Sequence, residues 1–191
     1  INPEIVALIN SVGGVAKGFA GTEIFTCKKH APNGEDYGFV GEVIGVNTAP
    51  LEECIAHGIT PVISPTARDA DGQVYNCNAD LAAAKAAIAL AAKRLVFISD
   101  VPGLLRNPDD TESVIPHLDI AEVDELKQAG VIAKGMIPKV DSAVAAINAG
   151  VDKVSFVDGR MNHSVLLEIF TDTGVGTLIT NSSVQAADSG E

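Results

Sequence analysis

The sequence has no tryptophan, and aromatic residues fill only 4% of its 191 positions. Its core must therefore be built from Ala, Val, Ile and Leu, which favours closely packed helix-on-sheet layers over a β-sandwich. Cysteine is scarce as well. Cys27, Cys54 and Cys77 are odd in number, far apart and without C-x-x-C spacing, so neither a disulfide framework nor a zinc site is indicated, and reduced thiols of the cytoplasm are expected. Basic residues number 13 against 25 acidic ones, a formal net charge of −12. Such a chain repels nucleic-acid phosphates and anionic membranes, so neither is expected as a partner. No apolar run approaches the ~18 residues of a membrane span, and no basic segment followed by an apolar stretch opens the sequence. Neither G-x-G-x-x-G nor G-x-x-x-x-G-K-[ST] occurs, which removes the Rossmann fingerprint and the P-loop from consideration.

What is present is a 47% apolar chain of a length that suits one substantial domain. Asn2 as N-cap, Pro3 in the first turn, apolar Ile5, Leu8, Ile9 and Val12, and then Gly13-Gly14 describe a helix. Residues 15–20 read as a strand, and residues 23–29 and 38–46 as two β-rich runs around a polar turn. Thr48 is expected to cap a helix over 50–57 that stops at Gly58, followed by a strand over 60–64. Asp71-Gly72 marks a hairpin turn into 73–77. Asn78 then caps an alanine-rich helix over 79–92, and residues 95–99 form a strand. Asp119 caps a helix to Ala129, residues 136–149 make another, 153–157 the next strand, and Asn162 caps a helix over 163–170 with Val165, Leu166 and Ile169 as its apolar face. Residues 176–180 close the pattern as a strand. Strands alternating with helices predict an α/β fold with a mainly parallel sheet sandwiched by helices.

Ligands of open α/β sheets sit beyond the carboxyl ends of strands, which directs attention to three loops. In Tyr75-Asn76-Cys77-Asn78-Ala79-Asp80 a strand hands over to a helix whose free N–H groups suit an anion. Ordinary capping by Asn78, with Asp80 complementing the helix dipole, explains the same residues. Ser99-Asp100-Val101-Pro102-Gly103-Leu104 follows the most apolar strand, and its Pro-Gly turn either admits a ligand close to backbone or is a plain turn. Ala133-Lys134-Gly135-Met136-Ile137-Pro138-Lys139 enters a helix with a lysine in the first turn. The dipole disfavours a cation there, so an anionic partner would account for it, as would simple solvation.

Four blocks carry a resemblance: Asn76-Cys77-Asn78-Ala79-Asp80, Ser99-Asp100-Val101-Pro102-Gly103-Leu104, Gly135-Met136-Ile137-Pro138-Lys139, and Asp158-Gly159-Arg160 with His163-Ser164-Val165-Leu166-Leu167-Glu168-Ile169-Phe170. Their order and spacing resemble the N-acetylglutamate kinases of the amino-acid kinase family, over nearly the whole chain to Thr180. Uridylate, carbamate and aspartate kinases share that fold but not the last block. The resemblance implies an α/β/α amino-acid kinase fold with a single domain over 1–180, in which 1–70 belongs to a substrate and dimer lobe and 71–180 to a nucleotide-binding lobe, and a flexible tail over 181–191. It implies that Lys139 holds the transferring γ-phosphoryl group, that Asp80 orients catalytic lysines, and that Asn76 hydrogen-bonds N-acetyl-L-glutamate. Ser99, Asp100, Gly103, Leu104, Gly135 and Met136 would line the site of ATP, which brings Mg²⁺ with it; no metal ligand of the protein itself is implied. The acceptor would be a γ-carboxylate, ionised at neutral pH with a Glu-like pKa of about 4.3, so the chemistry asks for positive charge and positioning rather than a general base.

The last block, with Gly174 and Gly176, resembles the arginine-inhibited members of the family, which makes His163, Glu168, Gly174 and Gly176 an expected arginine site. A homo-oligomer, dimer or hexamer, is implied too, with residues 49–65 a candidate surface, and a PII-type signalling protein is a further partner of such enzymes. The family's glycine-rich phosphate loop, second catalytic lysine and carboxylate-gripping Gly-Gly and Arg are not found, so an amino-terminal truncation and impaired activity of the chain by itself are expected. Two alternatives stay open: a non-catalytic arginine-sensing or interaction fragment, and a family member acting on another acceptor.

Overall fold

The computed structural model describes residues 1–133, 135–171 and 173–182. The expected tail lies outside the described residues from position 183 onward, as does Lys134 of the third loop. Contacts divide the chain into two units, Ile1–Leu90 and Ala91–Glu191. That boundary falls later than the expected lobe division at 70/71. The reason is pairing: strand Val74–Cys77 is hydrogen-bonded to earlier strands, and helix Ala79–Ala89 packs on one of them.

The first unit runs α1 (Asn2–Ser11), β1 (Ala16–Phe19), α2 (Gly21–Ile24), β2 (Phe25–Lys29), β3 (Val40–Val46), α3 (Ala49–Ala56), β4 (Thr60–Ile63), β5 (Thr66–Arg68), β6 (Val74–Cys77) and α4 (Ala79–Ala89). Ile1, not Asn2, caps α1. The Asn2 amide instead donates to the carbonyls of Phe19 (3.3 Å) and Val62 (2.8 Å), clasping the parallel pair β1–β4. Gly18 is required beneath it, since a Cβ there would run into the Asn2 amide oxygen. Strands β2, β3, β6 and β5 close into a small barrel. Residues 23–24, expected in a strand, form the end of α2, and β5 went unread because three residues are too few to show a period of two. Gly41 lets the barrel close: a Cβ there would stand 3.1 Å from the Cys27 sulfur and 3.2 Å from that of Cys77. Thr48 occupies the cap position of α3 without a side-chain bond, whereas the Asn78 side-chain oxygen Oδ1 accepts from the Leu81 N–H at 3.1 Å and starts α4 as expected. α4 stops at Ala89, short of the expected Ala92, where Leu90 leaves the helix and Ala91 turns to φ 47°.

The second unit comprises β7 (Arg94–Ser99), β8 (His117–Asp119), α5 (Val123–Gln128), α6 (Met136–Asn148), β9 (Lys153–Asp158), α7 (Ser164–Phe170) and β10 (Thr177–Thr180). Its sheet has the order β7-β9-β10-β8, with β10 antiparallel to β9 and the other pairs parallel. Among the described residues of both units the pairs β1–β4, β2–β5, β3–β6, β7–β9 and β8–β10 are parallel and three pairs antiparallel. The expected α/β class with mainly parallel pairing holds, but the strands are shared among separate sheets. β9 is the sheet's apolar centre: Val154, Ser155, Phe156 and Val157 are all buried, as a strand covered on both faces must be, and Phe156 stacks on Phe97 at 5.3 Å.

Helix α7 departs most from its pattern. His163, at φ 61°, holds the cap position expected for Asn162. The side chains that α7 buries are Ser164 and Glu168, while Leu166 and Ile169 of the expected apolar face are exposed and Phe170 is 80% exposed. A seven-residue helix follows whichever side chain is anchored, and here that is an acid.

Burial in the barrel, reinforced by the neighbouring Cys77 and Asp69, pushes the Cys27 thiol up to about 11, and burial raises Cys77 as well. The folded state thus holds these protons more tightly than the unfolded chain, whose thiols titrate near about 8.5. Their contribution to stability is complete below that pH and is lost as the pH climbs toward 11. Ellman's reagent at pH 8 is expected to label Cys27 and Cys77 only on unfolding; rapid labelling of the folded chain would contradict the closed barrel.

Candidate functional site

In the first unit, β6 ends at Cys77 and α4 begins at Ala79, so Asn76 and Asp80 flank the Asn78 cap. β6 alternates, with Tyr75 and Cys77 buried and Asn76 turned outward and exposed. Asp80 is half-buried in the first turn of α4, beside helix N–H groups. The turn therefore offers an amide and a carboxylate at a partly positive helix end.

In the second unit, β7 and β9 run parallel in a six-residue register from Arg94↔Lys153 to Ser99↔Asp158. Their carboxyl ends consequently share one edge. Past β7, the Ser99 hydroxyl shares contacts with the backbone of Val101, donating to its carbonyl (3.2 Å) and accepting from its N–H (3.3 Å), and Asp100 is exposed. Past β9, the Gly159 N–H donates to the Ser99 carbonyl (2.8 Å), locking the two strand ends together. The Asp158 carboxylate accepts the backbone N–H (2.8 Å), Nε (2.9 Å) and Nη2 (2.8 Å) of Arg160, and those bonds hold its carboxyl below the usual range. Gly103 and Leu104 are buried: a Cβ on Gly103 would lie 2.6 Å from the Thr177 hydroxyl, which accepts the Leu104 N–H at 2.8 Å. The loop's glycine is thus explained by close packing on β10, and Leu104, 2% exposed, offers a ligand its backbone rather than its side chain. Gly135 caps α6, with Met136 and Lys139, both half-buried, in the first turn.

The amino-terminal ends of the same strands carry the opposite charge. Arg94 and Lys153 are register partners, and with Pro116, His117, Glu168, Ile169, Thr171, Thr173, Gly174 and Leu178 they line a cavity of ≈ 560 Å³. Glu168 is 6% exposed, and its Oε2 accepts the N–H groups of Val175 (2.9 Å) and Gly176 (3.3 Å) while Arg94 donates to its main-chain carbonyl (3.2 Å). Of the residues expected to bind arginine, Glu168 and Gly174 line this cavity; His163, at the far end of α7, does not. Gly176 is buried against the Phe156 carbonyl, where a Cβ could not fit. Arg94, His117 and Lys153 were not singled out from the sequence; cations opening two neighbouring parallel strands were the available signal. Among the described residues no group of three or more His, Cys, Asp or Glu side chains could hold a metal ion.

The profile of the amino acid kinase family matches residues 1–158. Acetylglutamate kinase of Syntrophomonas wolfei is 46% identical over 182 residues, covering 95% of this chain and 63% of its own length. That of Carboxydothermus hydrogenoformans is 46% identical over 190 residues, covering 94% of the chain and 65% of its own length. The chain thus spans less than two thirds of these relatives. Among solved structures, N-acetylglutamate synthase from Neisseria gonorrhoeae, complexed with coenzyme A and L-arginine, matches 94% of the chain and 44% of its own with a TM-score of 0.77 at 26% identity. Carbamate kinase of Giardia, at 15% identity and a TM-score of 0.69 over 94% of the chain and 68% of its own, shares the fold.

Glu168 anchors the loop before β10, so Glu168→Ala is expected to strip two N–H groups of their acceptor at a cost of about 1–3 kcal/mol. Hydrogen exchange at the Val175 and Gly176 amides would accelerate in that variant. Unchanged protection there would contradict the anchoring role.

Proposed function

The chain belongs to the amino acid kinase family, and from that premise we propose that its activity is ATP-dependent phosphorylation of the γ-carboxylate of N-acetyl-L-glutamate, a step of arginine biosynthesis. The observation that carries this reading is the strand-to-helix turn Asn76 to Asp80, an exposed amide and a carboxylate flanking a capped helix start, in a chain 46% identical to acetylglutamate kinases over 95% of its length. An amide can donate to an acyl or carboxylate oxygen of the acceptor, and the helix end favours its negative charge. The nucleophile is already an anion, so the protein's task is to bring two anions together.

Lys139, at the first turn of α6, is the proposed partner of the transferring phosphoryl group, and Asp80 the acid that orients catalytic ammonium groups. The nucleotide would bind past the carboxyl ends of β7 and β9 against Ser99, Asp100 and the backbone of 103–104, with Gly135 and Met136 at the start of α6. Mg²⁺ would arrive on the phosphates, which requires only one or two carboxylates from a protein. Because the sequence holds no glycine-rich phosphate loop, the chain by itself is expected to bind nucleotide weakly and turn over slowly. A homo-oligomer is proposed with it, in the cytoplasm.

A second reading concerns regulation, and the cavity at the amino-terminal ends of β7 and β9 favours it. Arg94 and Lys153 suit an α-carboxylate, and Glu168 with the carbonyls around Gly174 suits a guanidinium, so L-arginine is the proposed ligand. The Neisseria synthase, a structural relative, was solved with L-arginine. A PII-type protein remains a proposed partner by resemblance alone.

Phosphoryl transfer from MgATP to N-acetyl-L-glutamate is the test, run on the 191-residue chain and on a version extended to its relatives' length, with and without L-arginine. Activity is expected in the extended version, inhibited by arginine, and reduced about a hundredfold or more by Lys139→Ala. Activity in neither version, or full activity of Lys139→Ala, would contradict the reading. Insensitivity to arginine would remove the regulatory one alone.

A further inference from the structure

The edge at which β7 and β9 both end carries two carboxylates. Asp100 is the first residue past β7 and Asp158 the last of β9, directly opposite Ser99. A nucleoside triphosphate bound at this edge brings several negative charges of its own, and two bare acids would oppose it. Arg160 answers that problem geometrically. Its guanidinium is clamped by Asp158 through Nε and Nη2, and its backbone N–H bonds the same carboxylate, so the side chain is held in one pose rather than swinging free. The clamp uses one side of the fork and leaves Nη1, which donates to none of the described residues, in a side chain that is 65% exposed. Asp158, by contrast, is only 15% exposed, so the anchor is fixed and the cation is presented. Asp100 also lies close enough to stabilise the charged guanidinium. Gly159 brings the turn close to β7: its N–H bonds the Ser99 carbonyl, and a Cβ there would stand 2.6 Å from Ile98 Cγ2, so a larger residue would force the exposed Ile98 side chain to move.

We propose that Arg160 is a nucleotide-binding residue, oriented by Asp158 so that its free Nη1 donors meet the anionic part of a nucleotide held past the ends of β7 and β9. This rests on the reading of that edge as the nucleotide site. The guanidinium end of the Asp158–Arg160 pair is open to solvent, and solvent screening keeps the contribution of such a pair to stability small. The bidentate clamp instead fixes the pose of the guanidinium and leaves Nη1 to donate to an anion.

The test is binding of the fluorescent nucleotide mant-ADP, displaced by ADP, to the 191-residue chain and to Arg160→Gln, Arg160→Lys and Asp158→Asn, with the melting temperature of each taken without nucleotide. Arg160→Gln is expected to weaken binding about tenfold, as loss of one charge-assisted hydrogen bond does. Arg160→Lys, which keeps the charge but cannot form the fork, should fall between it and the parent. Asp158→Asn should weaken binding with the charge of Arg160 still present, and melting temperatures should stay together. Equal binding by parent and Arg160→Gln overturns the assignment of Arg160 while leaving the nucleotide site in place. Loss of binding that tracks a fall in melting temperature overturns it in favour of a structural role. No displaceable binding by the parent overturns both the assignment and the reading it rests on.

Discussion

The parallel register of β7 and β9 governs the second unit. Six consecutive residue pairs, from Arg94↔Lys153 to Ser99↔Asp158, send both chains out at one edge and bring both in at the other. Parallel pairing between strands far apart in sequence demands crossover connections, and the residues that emerge at each edge are set by that pairing rather than by local preference. At one edge it gathers Ser99, Asp100, Asp158 and Arg160; at the other, Arg94 and Lys153 beside Glu168. The packing of β9 makes the register costly to shift, since a slip of one residue would take Phe156 from its stack on Phe97 and put Ser155 or Val157 there.

This polarity fits the proposed binding of a phosphorylated ligand by an acidic chain. A net charge of −12 disfavours polyanions at long range, so recognition must come from a few placed donors acting at contact distance, where screening counts for least. In the second unit the start of α6 provides partial positive charge, and the clamped guanidinium of Arg160 is proposed to add a whole one. The buried Glu168 works in the opposite sense, accepting backbone donors and fixing the loop that feeds Thr177, which in turn supports Gly103 and Leu104. One acid thereby connects the cavity at one end of the sheet to the loop at the other through β10.

Much of this was legible in the sequence wherever one local signal sufficed. Asn78 as a cap, Gly58, Gly130 and Gly150 as helix stops at positive φ, and the apolar run of β7 all stand where residue chemistry put them. What escaped was set by tertiary pairing. β5 and β8 are three residues long and exist only because a partner strand lies alongside. Asn2 looked like a cap and serves instead as a clasp between β1 and β4. Glu168 reads in the sequence as part of an arginine site, and nothing local reveals that the N–H groups of Val175 and Gly176 fold back onto it. Among the site residues, the block Asp158-Gly159-Arg160 is visible as a motif, but the role proposed for it depends on β7 ending beside it.

The central claim is that the shared carboxyl edge of β7 and β9 receives the nucleotide, and amide chemical shifts of the ¹⁵N-labelled chain during a titration with MgADP test it most directly. The account predicts shifts concentrated at 99–104, 135–139 and 158–160, with the cavity at Arg94, Lys153 and Glu168 left unmoved. Shifts centred on that cavity instead, or saturating changes confined to the first unit, would contradict it.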